Sequence, residues 1–197
     1  MSARERLIAS TVALIRSGGV SGASVSEVLE HSGLARRTLY LNFPGGKSEL
    51  VTIATELAGA AITASIEESL DQPDPGRVVE AFVAMWANAL GDSDYTAGCP
   101  VVAATLSRAE VPAAADAAAA AFMRWEDLLA SHLRNAGLAA DTAADLATTV
   151  VASVEGAVIM SLAQRSPVPL QRTGRQIVAL IDARIGQPAN SARADRS

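Results

Sequence analysis

Between Ser24 and Phe43 the chain is punctuated tightly enough to dictate its local fold. Ser24-Val25-Ser26-Glu27 sets a hydroxyl and a carboxylate three residues apart, the spacing at which each satisfies an orphan backbone donor at a helix start. Val25, Val28 and Leu29 then recur at helical intervals, Gly33 stops the run, and Arg36 to Asn42 reads as a second short helix ended by Pro44-Gly45-Gly46. Helices this short are unstable alone, so they must pack on a third. One lies upstream: Ser2-Ala3-Arg4-Glu5 repeats the capping spacing, and Leu7, Ile8, Val12, Leu14 and Ile15 follow helically until Ser17-Gly18-Gly19.

Beyond residue 46 the helical segments lengthen. Leu50, Ile53, Ala54, Leu57, Ala61, Ile66 and Leu70 mark one helix from Lys47 to the Pro73 and Pro75 turn. Asp74-Pro75 has the chemistry of a new helix start, followed by Val78, Val79, Phe82, Met85, Trp86 and Leu90. Gly91 to Gly98 reads as a polar loop, and Cys99-Pro100 opens a short apolar segment reaching Ser107. An alanine-rich helix over 113–136 is stopped by Gly137. Asp141 caps another to Gln164, and Ser166-Pro167-Val168-Pro169 precedes a last one ending at Ile185. Long alternating β-branched runs are absent, so the fold class is all-α, with about nine helices. We divide the chain into a three-helix domain over 1–46, a larger helical domain over 47–185, and a polar, disordered tail over 186–197.

The Gly33 turn between two short helices, the second basic and amphipathic, is the pattern of a helix-turn-helix whose second helix can enter the major groove of double-stranded DNA. Leu39 and Phe43 lie four apart and pack inward, leaving Arg36, Arg37, Thr38, Tyr40 and Asn42 outward or at the margins. Arginine matches guanine O6 and N7, threonine a thymine methyl or a phosphate, and tyrosine a phosphate. Tyr40 reads equally as a half-buried packing residue. Lys47, the only lysine, stands beside Gly45 and Gly46, whose amides favour an anion, and is assigned to a DNA phosphate. Charge is divided in the same sense. Residues 1–50 carry six basic and four acidic side chains, against ten and seventeen in the remainder.

Ser24-Val25, then Gly33-Leu34-Ala35-Arg36-Arg37-Thr38-Leu39-Tyr40-Leu41-Asn42-Phe43-Pro44, then Lys47, Glu49 and Leu50 resemble, in type and spacing, the TetR family of bacterial regulators. The likeness is specific over residues 4–52 and architectural beyond. Gly45-Gly46 and Gly98-Cys99-Pro100 are similar to the LmrA/YxaF-like branch, whose members repress efflux or detoxification genes. Ala35 departs from the serine cap common at the recognition helix, and Arg37 replaces a residue that is commonly small, so operator sequence does not carry over. The resemblance implies a DNA-bound homodimer released by a small apolar or aromatic effector, with Ser24 and Ala35 joining the DNA-facing set. It also implies an apolar cavity in the larger domain and a dimer built by the last two long helices.

Phe82, Met85, Trp86, Phe122, Met123, Trp125 and Met160 supply adaptable apolar surface for such a ligand, and each is also an ordinary core residue by type. Glu155 stands within the apolar run Val150 to Leu162, where an unpaired charge is costly. It lines a pocket, bonds across a dimer, or points to solvent. Gly156 beside it permits close helix approach. Cys99 reads as a buried thiol and His132 as a surface residue. With two histidines, one cysteine and no phosphate-binding glycine loop, an all-helical enzyme has no convincing catalytic or metal-ligand set, and no cofactor is expected. A helical adaptor that never meets DNA leaves the basic recognition helix unexplained. No leader-like succession opens the chain and charges interrupt its apolar stretches, so the expectation is a cytoplasmic protein with no membrane partner.

Overall fold

The computed structural model describes residues 1–186, and within them the chain forms nine helices and no strand. The expected tail lies, from residue 187 onward, outside the described residues.

Helix α1 (Ala3–Gly22) starts at the first capping box, where Ser2 Oγ accepts from the Glu5 amide at 3.2 Å and the Ser2 amide donates to Glu5 Oε2 at 2.9 Å. The break expected at Ser17-Gly18-Gly19 falls on one residue. Gly19 leaves helical geometry at φ 70°, after which a further turn reaches Gly22. The second capping box opens α2 (Val25–Ser32), and Gly33 ends it at φ 65°, ψ 28°, a left-handed conformation that suits a residue without Cβ. Helix α3 (Arg36–Asn42) follows at once.

The larger body comprises α4 (Gly46–Ser69), α5 (Pro75–Asp92), α6 (Pro100–Thr105), α7 (Pro112–Asn135), α8 (Ala140–Gln164) and α9 (Val168–Ile185). Asp74 caps α5 as expected, Oδ1 accepting from the Gly76 amide at 2.9 Å. Asp141 does not cap α8. Ala139 holds the cap position, and Asp141 sits in the first turn, where a carboxylate favours the helix dipole instead.

Helices α4, α7, α8, α9 and α5 pack in that spatial succession, and α1 rests on α2, α3, α4 and α6. Leu7, Val28, Leu39, Phe43 and Leu50 bury together in a core continuous with that of the larger body. Helices α4 and α8 have the length and mean hydropathy of membrane-crossing helices, with charges such as Glu56 and Glu155 interrupting them as expected. Both helices pack against α7.

Candidate nucleic-acid interface and effector site

Helix α3 presents its expected inner face: Leu39 and Phe43 are fully buried. At about 100° per residue, Arg37 and Leu41 then fall opposite Leu39, with Thr38 and Tyr40 on the flanks. Arg36 and Arg37 are exposed, Thr38 is half-buried and Tyr40 is 44% exposed. Leu41, absent from the expected set, is 71% exposed. The signal that could have found it is helical spacing, which sets Leu41 opposite Leu39. An exposed leucine on such a face can meet a thymine methyl.

Other members of the expected set serve the fold. Ser24 Oγ accepts from the Glu27 amide at 3.2 Å as the cap of α2. Asn42 Nδ2 donates to the Thr38 carbonyl at 2.8 Å. Ala35 caps α3 by position alone, with no side-chain hydrogen bond.

The cations of the N-terminal segment sort in the same way. Arg6 donates to the Ser32 carbonyl at 2.5 Å and Arg4 to the Asn42 carbonyl at 2.9 Å, so α1 caps the C-termini of both α2 and α3. Arg4 also stacks on Phe43, 4.5 Å from its ring centroid. Arg16 Nε donates to the Gly98 carbonyl at 3.1 Å. Among the described residues Arg36 and Arg37 meet no intramolecular hydrogen bond or ion pair. Within this segment the arginines left free are the two on the recognition helix.

Lys47 does not stand free beside an anion nest. Its Nζ donates to Glu110 Oε1 at 2.5 Å, and Ser21 donates to the other Glu110 oxygen at 3.1 Å. The bond from Lys47 holds the Glu110 carboxyl below the usual carboxylate range. The glycine amides are used internally as well: Gly45 donates to Glu49 Oε2 at 2.8 Å and Gly46 to the Phe43 carbonyl at 2.9 Å. The expected anion-favouring amides are therefore occupied, because Glu49 turns back onto its own helix start.

A model of bacterial regulatory proteins, tetR family, matches residues 7–52, and one described as transcriptional regulator LmrA/YxaF-like, C-terminal domain, matches residues 75–176. The chain belongs to the TetR family. An uncharacterised HTH-type transcriptional regulator of Mycobacterium tuberculosis is 32% identical over 188 residues, covering 92% of this chain and 95% of that protein. The HTH-type transcriptional regulator LmrA of Bacillus subtilis is 26% identical over 170 residues, covering 85% and 90%. The crystal structure of a regulatory protein TetR from Rhodobacter sphaeroides superposes with a TM-score of 0.82 at 19% identity, covering 90% of this chain and 97% of that one. This TetR-family protein is thus a DNA-binding transcriptional regulator with an LmrA/YxaF-like C-terminal region, and its family is one of regulators rather than enzymes.

In the larger body of this regulator, Phe82, Trp86 and Trp125 are buried, while Met85 and Phe122 are half-buried. Trp125 is tied to α4, its Nε1 donating to Thr63 Oγ1 at 2.9 Å, and Phe122 meets it edge-on with centroids 5.1 Å apart. That bond makes Trp125 a pin between α7 and α4. Trp86 differs, because its buried Nε1 has no partner among the described residues. Met123 and Met160 face outward, against the expectation that they add to interior apolar surface.

Of the three readings of Glu155, solvent is excluded, since the residue is 5% exposed. Desolvation pushes its pKa up to about 7, opposed only by the Cys99 thiol beside it. A thiol is a weak donor, and both carboxylate oxygens lack a hydrogen-bond partner. Cys99 is buried as expected, and burial, followed by the Glu155 charge, holds its thiol well above the ordinary range. His132 is not a surface residue. It is half-buried with Nε2 unpartnered, and desolvation lowers its pKa against the pull of Asp74.

Proposed function

We propose that this regulator is a ligand-released repressor, with residues 1–46 as its DNA-binding domain and 47–185 as its effector-binding and dimerisation domain. In this reading a homodimer in the cytoplasm sets two α3 helices into successive major grooves of a near-palindromic operator. Arg36 and Arg37 read bases, Leu41 and Thr38 meet thymine methyls or phosphate, and Tyr40 contacts phosphate. The observation that carries the reading is the outward face of α3, which holds arginines with no internal partner beside an exposed leucine.

Two contacts give effector binding a route to that face. The Gly98 amide donates to the Arg16 carbonyl at 2.8 Å while Arg16 Nε returns to the Gly98 carbonyl, which locks α1 to the start of α6. Glu110, between α6 and α7, holds Lys47 of α4 and Ser21 of α1. A ligand that favours another placement of α6 moves both clasps, and its leverage equals its difference in affinity for the two arrangements. Lys47 reaches phosphate only when DNA itself draws it from Glu110, so the ion pair and the DNA compete for one ammonium.

Titration of labelled DNA from upstream of the protein's own gene tests the reading. The expected result is sequence-dependent binding that weakens steeply with salt. Equal affinity for scrambled DNA would sink it.

A further inference from the structure

The Glu155 carboxylate is the least satisfied charged group in the described core. It sits on α8 among buried Val151, Val154 and Val158, with neither oxygen hydrogen-bonded. Across from it stands Cys99, the cap residue of α6, and Gly98 before it lies so close to α8 that an added Cβ would be 2.8 Å from Leu162 Cδ1; an effector seated here has to part α6 from α8. Among the described residues no arginine, lysine or histidine pairs with the carboxylate. Its burial is achieved by this chain alone, so a second copy is not what covers it.

A desolvated carboxylate without a countercharge is costly, and a cation recovers far more of that cost than a neutral donor. A purely structural role would favour an apolar residue here, since well-packed hydrophobic side chains match or exceed buried ionic groups in stability. A second buried orphan, the Trp86 indole N–H, lies on α5, which also packs against α8.

We propose that the effector is a small, mainly apolar molecule carrying a protonated amine that ion-pairs with Glu155 where α8 meets the start of α6. The inference rests on the larger body being the effector-binding unit. It places the ligand's charge one residue from Gly98, the joint through which α6 grips α1.

Calorimetric titration of the full-length protein with benzylamine, cyclohexylmethylamine and 1-naphthylmethylamine, each beside its matching alcohol, is the test. At least one amine should bind about ten-fold or more tighter than its alcohol, a factor within reach of one well-formed ion pair, and should release operator DNA. Glu155→Gln should erase the preference for amine over alcohol. Glu155→Met controls for folding and should melt higher than the wild type, because it removes an unpaired buried charge.

Equal binding of amine and alcohol, a preference that survives Glu155→Gln, no binding by any amine, or a lower melting temperature for Glu155→Met would each overturn the proposal. Operator binding that persists without an amine response overturns this inference and leaves the repressor reading intact. Amine binding without operator binding does the reverse.

Discussion

Arg4 and Arg6 show how little a count of cations says about a DNA-binding surface. Both belong to the basic N-terminal segment, yet each closes the end of a neighbouring helix from within the protein. Arg37 points the other way. Substituting Arg37 by alanine should weaken specific operator binding about 1–3 kcal/mol more than binding to scrambled DNA, leaving the melting temperature unchanged. Arg4→Ala should lower the melting temperature first. Fluorescence anisotropy beside thermal melting separates the two, and an equal loss on both DNAs for Arg37→Ala would make it a phosphate contact.

Glu155 predicts a pH effect of definite sign. Its folded pKa of about 7 lies above the ordinary value of 4.5, so between these limits the native state binds the extra proton. Stability therefore falls as pH rises through this window, by at most about 3 kcal/mol, and levels off above it. His132, depressed in the folded state, acts oppositely, losing stability as pH falls below its unfolded value. Calorimetric melting of wild type against Glu155→Gln from pH 5 to 8 isolates the carboxylate. A difference between them that does not change with pH contradicts the assignment.

At the scale of the element, most helix boundaries were legible because they rest on contacts within a few residues. Ser2 and Ser24 with their partner glutamates, Asp74 before Pro75, and Gly33 after Ser32 need no distant partner. Gly46 is the instructive intermediate case. Its φ of +66° is a local demand, but the Tyr40 ring 3.3 Å from where a Cβ would stand belongs to the preceding helix. Gly46→Ala should cost about 1–3 kcal/mol through left-handed strain and displacement of Tyr40. Gly18, helical and with open space around it, should gain slightly on the same change. Urea denaturation measures both, and equal shifts would contradict the turn geometry.

For the whole molecule, the outer side of α8 carries the prediction. Ile159 and Met160 are 52% and 53% exposed, and nothing lies within 4 Å of a Cβ built on Gly156. In the dimer we propose, that open strip receives a second copy. Ile159→Glu combined with Met160→Glu should convert a dimer into a monomer in sedimentation velocity and abolish tight operator binding, because one recognition helix alone reads half a site. A variant that stays dimeric would move the interface elsewhere.

Periodicity, caps and breakers act over one or two turns, so the all-helical class, the helix-turn-helix and the inward register of Leu39 and Phe43 are written in the order of residues alone. Which charges are free follows instead from packing between distant segments. Lys47 meets Glu110 across 63 residues of chain, Arg16 meets Gly98 across 82, and Glu155 is stranded by helices that its own neighbourhood does not announce. Desolvation and pairing depend on what the fold brings together in space, and no local pattern encodes it.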